Sequence, residues 1–382
     1  MNLIIHDLNS DEWNKISKKY SGWSVVSDTG TIHPCNGCFS CWNRTPGKCV
    51  ICDGYENMGY LIHHAEEVVV ISRYTYGGFS GFVKNVFDRS LGYVPPQFEV
   101  INGETHHKKR YDEDKPFTFI FYGESFSDEE KESARRYVQA VCANIRGHVK
   151  ELVFRKCKTE EKRDSGILQK NGPAGKVILL NGSMRSADGN SAKLARKLAA
   201  QLKVDSETVD LRDYMKELNA LADNLKEAPA LVLCVPLYVD GLPSQVIRLL
   251  EVMENHRGIS KRIYVLANMG LYESSQLANL FSAVRQWCGK MNYDYCGGLG
   301  VSAGELLGTL MEAIPFRAGP TRNVAKGMDM LAYAINVGSV TEDIFTEPYR
   351  FPRSLYIYIA NTSWNRTAKS NGIRPEDLYR KL

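Results

Sequence analysis

The chain has 382 residues, of which 43% are hydrophobic and 24% are charged, and its formal net charge is +4. This length is too great for one ordinary core and predicts two domains. The charge is mild and no Lys/Arg run is interleaved with aromatic residues, so we expect neither a nucleic acid nor an anionic membrane surface as partner.

The amino terminus, MNLIIHDLNSDEW, has no basic segment followed by a long apolar one. The longest apolar runs, at 68–72 and 230–239, are far too short to span a bilayer. We therefore expect a cytoplasmic protein without a membrane partner. In that compartment the ten cysteines are not expected to pair as disulfides, and clustered cysteines more often bind metal or do redox chemistry.

The first half alternates strand and helix patterns. Strands are predicted within 2–8 (NLIIHDL) and 23–28 (WSVVSD), and a Val-rich apolar run opens the segment 65–85. A further strand, loop and helix follow at 117–138. Apolar runs of this length are typical of strands that are buried on both faces of a parallel sheet.

Between the second and third of these strands lies a run of five cysteines. Cys35, Cys38, Cys41, Cys49 and Cys52 have the spacing C-x2-C-x2-C-x7-C-x2-C. Four thiolates suit tetrahedral zinc, clustered thiols can do redox chemistry, and a cysteine can also be a small buried hydrophobe. The pattern alone leaves these alternatives open.

The second half repeats the order of the first. Residues 176–183 (KVILLNGS) match 2–8, and 228–248 match 65–85 in having an apolar run, a loop with tyrosine and glycine, and a helix. We predict an α/β protein of two doubly wound, parallel, five-stranded flavodoxin-like domains in tandem, with a carboxyl-terminal extension. The predicted ranges are 1–157 for the first domain, 158–175 for a polar linker, and 176–382 for the second domain with the extension.

The loop after the first strand of the second half is rich in small polar residues. Gly182 allows a sharp exit from the strand, and a helix with leucines spaced by four follows. Its side-chain donors are Ser183, Arg185, Ser186, Asn190 and Ser191. Free N–H groups at a helix start favour a phosphate, whereas a turn that only caps the helix is the alternative.

Three loops of this half together resemble a known family. GSMRxxxGNS, PLYxDGLP and NxGxxE follow its first, third and fourth strands. Over roughly 176–300 the chain resembles the flavodoxin-like NADPH-dependent FMN reductases. The resemblance implies that the donors above hold the FMN phosphate, and that two further loops lie against the flavin ring. The implied ring residues are Pro236, Leu237, Tyr238, Val239 and Gly241, with Asn268, Met269 and Gly270 flanking them.

The first half resembles the same superfamily differently. PCxGCxxCWxxxPGxC resembles a branch that includes iron–sulfur flavoproteins, which implies a [4Fe–4S] cluster at Cys35, Cys38, Cys41 and Cys49. Zinc and no metal at all remain open, and Cys52 has no account. The phosphate loop is missing here, so we expect no FMN in the usual manner. One half with cysteines and the other with a phosphate loop indicate an intramolecular pseudo-dimer, with a homo-oligomer also open.

The resemblance implies an FMN-dependent oxidoreductase that takes electrons from NAD(P)H. It would pass them to a small-molecule or protein acceptor, such as a flavin, a quinone or an iron–sulfur centre. The alternatives are an electron carrier of the flavodoxin type, with or without a [4Fe–4S] cluster, and a flavin-binding sensor without turnover. No catalytic side chain is predicted, because the flavin itself would do the redox chemistry.

Overall fold

A computed structural model describes residues 1–157, 175–185 and 188–382. The predicted linker at 158–175 therefore lies outside the described residues, apart from Gly175. Ser186, one of the predicted phosphate donors, lies outside them too. In the described ranges no helix combines the length and the apolar character that crossing a membrane requires.

The chain divides into two compact units. The first unit comprises Met1–Glu161 together with Ile357–Leu382, and the second comprises Lys162–Tyr356. The last residues of the chain thus belong to the first unit, although they follow the second unit in sequence.

The first unit contains a parallel sheet of five strands in the order β2-β1-β3-β6-β7. This is the flavodoxin-like order, in which the chain starts near the middle of the sheet and winds outwards in both directions. Strands β4 and β5 form a separate antiparallel pair. The elements are β1 Leu3–His6, α1 Ser10–Ile16, β2 Ser24–Ser27, α2 Ser40–Asn43, α3 Met58–His64, β3 Val68–Arg73, α4 Gly81–Arg89, β4 Phe98–Ile101, β5 Glu104–His107, β6 Lys115–Gly123, α5 Asp128–Asn144 and β7 Gly147–Lys156.

The second unit contains a parallel sheet of six strands in the order β13-β12-β11-β10-β8-β9. Its elements are β8 Val177–Asn181, α6 Asn190–Ala199, β9 Ser206–Asp210, α7 Leu218–Lys226, β10 Ala230–Pro236, α8 Ser244–Met253, β11 Arg262–Asn268, α9 Ala278–Met291, β12 Asp294–Val301, α10 Gly304–Ala313, α11 Arg322–Val337 and β13 Asp343–Thr346. The last helix, α12 Arg353–Ser370, begins in this unit and continues in the first.

The α/β class and the two flavodoxin-like parallel sheets are confirmed, with one correction. The second sheet has a sixth strand, β13, which pairs with β12 from Gly298 to Val301. Its sequence, DIFT, is four residues long and only partly buried. A strand this short at a sheet edge has too little apolar alternation to be seen in a sequence pattern.

Burial explains why the central strands form. Every residue of β8 and of β10 is buried, and so are the first five residues of β3. Leucine and valine from these strands pack against apolar helix faces, as Leu194 and Leu198 of α6 do in the second unit. Because β11, β10 and β8 are neighbours, the loops at their carboxyl ends lie side by side, where doubly wound sheets bind ligands.

Candidate functional site

The first of these loops leaves β8 through a very tight space. A Cβ added at Gly182 would lie 2.7 Å from Cγ2 of Val246 and 2.9 Å from Cγ1 of Val235. The Gly182 N–H donates to the carbonyl of Cys234 at 2.9 Å, and its own carbonyl accepts from Nε2 of Gln245 at 3.1 Å. The exit from the strand is therefore fixed between β10 and α8, and glycine is the residue that fits there.

Polar side chains then curl the loop back on itself. The backbone N–H of Ser183 donates to Oδ1 of Asn181 at 3.2 Å, and Oγ of Ser183 accepts from the backbone N–H of Arg185 at 3.2 Å. Nδ2 of Asn181 donates to Asp210 at 2.6 Å. Ser183 is buried, so its hydroxyl serves the loop rather than bulk solvent.

The helix that follows has no side-chain cap. Its N-cap residue is Gly189, and within the described residues no N-cap side chain accepts a hydrogen bond from the first turn. The initial N–H groups of a helix have no partner inside the helix and carry a partial positive charge. This end of α6 therefore has the chemistry that an anionic ester group requires.

Asn268, at the end of β11, connects this helix to the neighbouring loops. Its Nδ2 donates to Oγ of the buried Ser191 at 2.6 Å and to the carbonyl of Val235 at 3.4 Å. Its carbonyl accepts from the backbone N–H of Leu237 at 2.8 Å. Residues from the first, third and fourth loops thus meet at one place, as their order in the sequence predicts.

The loop after β10 is a strained hairpin. Tyr238 and Gly241 exchange two backbone hydrogen bonds, at 3.1 and 3.0 Å. The two residues between them, Val239 and Asp240, have φ values of 37° and 59°. A β-branched residue in this region is a true outlier, and strain of this kind concentrates at binding loops.

The backbone of the loop after β11 is fixed by hydrogen bonds, and there is open space beside one of its residues. The backbone N–H of Met269 donates to Val301 at 3.0 Å, and the hydroxyl of Tyr356 donates to the carbonyl of Gly270. A Cβ added at Gly270 would meet nothing within 4 Å. Open space beside a fixed backbone suits a flat ligand, while the buried Met269 side chain is part of the core.

A segment that follows β13 supports the same loop. The hydroxyl of Tyr272 donates to the carbonyl of Phe351 at 2.6 Å, and Arg353 forms an ion pair with Glu273 at 2.8 Å. Glu273 is the acidic residue of the NxGxxE motif, but its partner Arg353 and the residue Phe351 lie outside the segment on which the family resemblance rests.

Helix α10 lies against the start of α6 and contributes a contact residue that the sequence did not predict. Glu305, in its first turn, accepts from Nη1 of Arg185 at 2.6 Å and from Nδ2 of Asn190 at 3.1 Å. A Cβ added at Gly308 would lie only 2.0 Å from Oδ1 of Asn190, so the two helices approach closely here. Glycines four residues apart in GELLG are a signal that could have pointed to this contact.

The cysteine run of the first unit is organised by a buried arginine. Nε of Arg89 donates to Sγ of Cys49 at 3.2 Å, and Nη1 and Nη2 form a bidentate pair with Asp53 at 2.8 and 2.9 Å. The same guanidinium donates to the carbonyls of His33 and Ile51. Burial would raise the pKa of Asp53, but Arg89 and two backbone N–H groups hold it well below its usual range.

The thiols themselves differ in exposure. Cys38 and Cys52 are exposed, and Cys35, Cys41 and Cys49 are half-buried. Burial raises the pKa of Cys35 to about 12, with further contributions from Asp88 and neighbouring thiols. Across the part of the chain that the structure describes, no three His, Cys, Asp or Glu side chains form a group suited to a metal ion. The structure therefore gives no support to the [4Fe–4S] or zinc interpretations.

In the first unit the start of the helix after β1 is capped by side chains, unlike the start of α6. Helix α1 is capped by Asn9, whose side chain and that of Glu12 each bond the other's backbone N–H, at 2.9 and 3.0 Å. The carboxylate of Asp7 accepts from the backbone N–H of Arg73 at 3.0 and 3.1 Å. The expectation that this half does not hold FMN in the usual manner stays a prediction.

Comparison with solved structures finds chains of low similarity. An azoreductase from Bacillus anthracis str. Sterne is 16% identical, with 42% of this chain and 99% of that chain covered and a TM-score of 0.31. The Trp repressor binding protein from Bacillus subtilis is 15% identical, with coverages of 42% and 98% and a TM-score of 0.30. An apo NADH:FMN oxidoreductase is 15% identical, with coverages of 47% and 98% and a TM-score of 0.34.

Comparison with family models is more specific. No curated protein matches the chain in sequence. The model of the family described as NADPH-dependent FMN reductase matches residues 175–288. This range begins just before β8 and ends inside α9, so it contains the three loops described above. Residues 175–288 are therefore similar to the NADPH-dependent FMN reductases, and the similarity lies in the second unit.

Proposed function

We propose that the second unit binds FMN and that the chain is an FMN-dependent oxidoreductase that takes electrons from NAD(P)H. One observation carries the proposal: the segment that matches the FMN reductase family contains three adjacent loops, and one of these leads into a helix whose N-cap has no side chain. Neither the match nor the geometry would be as informative without the other.

In this proposal the loop after β8 binds the phosphate. The donors would be Ser183, Arg185, Asn190 and Ser191, together with the N–H groups of the first turn of α6 and with Ser186. The charge-assisted bonds from Arg185 and the helix start would supply most of the phosphate affinity. Ser191 is already oriented by Asn268.

The other two loops would hold the ring. The hairpin Pro236–Gly241 would lie along it, and Asn268, Met269 and Gly270 would flank it. The fixed backbone of these loops supports the assignment, because a rigid frame orients a flat ligand without loss of conformational entropy. Bound FMN would supply two-electron redox chemistry, and the chain's residues would bind it, orient it and limit access of water.

The acceptor would be a flavin, a quinone or an iron–sulfur centre in a small molecule or a partner protein. The carrier and sensor alternatives are distinguished by reactivity rather than by geometry. Rapid bleaching of protein-bound flavin by NADH or NADPH supports the oxidoreductase, whereas tight FMN binding without bleaching supports a carrier or a sensor.

The first test is a titration of the purified chain with FMN, followed by quenching of flavin fluorescence. Arg185→Gln is expected to weaken FMN binding by roughly tenfold, because it removes a charged donor to the phosphate. Arg317→Gln is the matched control, since Arg317 also pairs with one carboxylate, that of Asp329, on the surface of the same unit. A wild-type chain that does not bind FMN would contradict the proposal.

A further inference from the structure

Two helices begin beside the proposed phosphate site, the corner at which Arg185, Asn190 and Glu305 meet. Helix α6 begins at Asn190 and helix α10 at Gly304, and neither has a side-chain hydrogen bond from its N-cap among the described residues. Gly304 lies against the fourth loop, with its N–H donating to the carbonyl of Met269 at 2.7 Å. A Cβ added at Gly308 would lie 2.0 Å from Oδ1 of the Asn190 side chain.

This convergence concentrates positive potential. The start of each helix carries a partial positive charge, and the guanidinium of Arg185 adds a full one. An anion at this point relieves the repulsion between them. In the structure that anion is the carboxylate of Glu305, whose Oε1 is contacted by both Arg185 and Asn190.

The contact is of a kind that a ligand can displace. The side chains of Arg185 and Glu305 are 38% and 48% exposed. An ion pair with this much exposure adds little to stability, because water competes for both groups. A phosphate ester has more acceptor oxygens and more charge than one carboxylate, and it would bond both donors and the helix N–H groups together.

We propose that Glu305 is a specificity-determining residue of the flavin site. Its carboxylate occupies Arg185 and Asn190 in the flavin-free chain, and the phosphate of FMN displaces it on binding. The inference rests on the proposed function and deepens it: phosphate affinity is reduced by an internal competitor, so Glu305 limits how strongly the site prefers FMN to riboflavin. Glu305 lies outside the segment 175–288 that matches the family model.

Glu312 on the same helix provides a matched control. It pairs with Lys193 at 2.8 Å, and its side chain is 59% exposed. Glu312→Gln therefore removes the same charge and a similar ion pair, two helical turns farther from the corner. A general effect of net charge would appear in both variants, whereas displacement at the corner would appear in one.

The experiment measures the dissociation constants of FMN and of riboflavin for the flavin-free wild type, Glu305→Gln and Glu312→Gln. Glu305→Gln is expected to bind FMN about threefold to tenfold more tightly than wild type, a gain that corresponds to one exposed ion pair. Its riboflavin affinity is expected to stay unchanged, because riboflavin has no phosphate. Glu312→Gln is expected to match wild type for both ligands.

Three results would overturn the inference: unchanged FMN affinity in Glu305→Gln, weaker FMN affinity, or an equal gain for riboflavin. Weaker binding would mean that Glu305 positions Arg185 instead of competing with the ligand. Inorganic phosphate separates this failure from failure of the proposed function. If this site accepts anions, inorganic phosphate raises the melting temperature of Glu305→Gln more than that of wild type. This result does not require that the chain binds flavin. Equal shifts in the two proteins would contradict displacement of Glu305 by phosphate.

Discussion

The two units differ in the chemistry of the loop that follows the first strand of each sheet, β1 in the first unit and β8 in the second. In the first unit the chain after β1 closes on itself: Asn9 and Glu12 cap α1, and Asp7 takes the backbone N–H of Arg73. In the second unit the chain after β8 reaches α6 through Gly189, which has no side chain with which to cap the helix. The first helix is thus capped by side chains of its own chain segment, and the second begins at a residue that has none.

The surrounding frame is nearly the same in both units. A hairpin with two backbone hydrogen bonds follows β3 at Thr75–Gly78, as another does after β10 at Tyr238–Gly241. A buried lysine opens β6 and another precedes β11. Each donates to carbonyls at the end of the helix that precedes the neighbouring strand, which is α3 before β3 and α7 before β10. The two units therefore share a fold and differ in the residues of the loop after the first strand.

The strongest expected effect concerns the charge network that stabilises the first unit without any ligand. Arg89→Met removes the partner of Asp53 and leaves that nearly buried carboxylate without its bidentate pair. Breaking a buried pair in this way is expected to cost about 3–5 kcal/mol of unfolding free energy. Urea unfolding of the whole chain measures it, with Arg317→Met as the exposed-pair control. A loss no larger than the control's would show that Arg89 does not organise this unit.

A second test asks whether the exit from β8 is as constrained as the structure indicates. Gly182→Val places side-chain atoms where Val246 and Val235 already lie, and overpacking of this kind costs about 1–3 kcal/mol. Gly289→Ala, in α9 of the same unit, is the control, since a Cβ there meets nothing within 4 Å. We expect Gly182→Val alone to lower stability and FMN affinity. Equal stability of the two variants would contradict the tight exit.

Particular residues show what the sequence could predict and what it could not. The buried runs at 68–72 and 230–239 identified central strands, because apolar continuity is local information. Glu305 and Arg185 are 120 residues apart in the chain, and Arg89 and Asp53 are 36 apart. Their pairing depends on tertiary packing. The glycine spacing in GELLG could have indicated a close approach to α10, but not which residues pair with Glu305. The six-stranded sheet escaped prediction for the same reason, since β13 is defined by its neighbour β12.

The paired lysines provide a test of the shared frame. Nζ of Lys115 donates to the carbonyls of His63 and Ala65, and Nζ of Lys261 to those of Lys226 and Ala228. Lys115→Met and Lys261→Met each remove an ammonium donor from two carbonyls, at an expected cost of about 1–2 kcal/mol in either unit. Thermal unfolding of both variants checks the symmetry. A loss in one variant and none in the other would break the equivalence of the two frames.

The lowered pKa of Lys261 predicts how the free energy of unfolding changes with pH. Burial lowers its pKa from 10.5 to about 8, so the folded chain binds fewer protons than the unfolded chain between these values. The contribution of this group to stability therefore rises with pH from about 8 towards about 10. Lys261→Met should lack that rise, and the difference between the two stability curves measures it. A difference that stays constant with pH would contradict the lowered pKa.

The smallest expected effect tests the closed corner itself. Burial raises the pKa of Asp7, although bonds from Ser80, Arg73 and Tyr122 oppose the shift. A carboxyl whose folded pKa lies above its unfolded value binds more protons when folded, so its contribution to stability falls as the pH rises through the folded pKa. Asp7→Asn removes the titration but keeps an oxygen that can accept from the Arg73 N–H. Its stability relative to wild type should therefore increase as the pH rises above the ordinary carboxyl range and through the folded pKa of Asp7. Asp11→Asn, in the exposed first turn of α1, is the control for charge removal. If the two variants show the same pH dependence of stability, the pKa of Asp7 is not raised by burial. The difference between the two units would then depend on the capping of α1 alone.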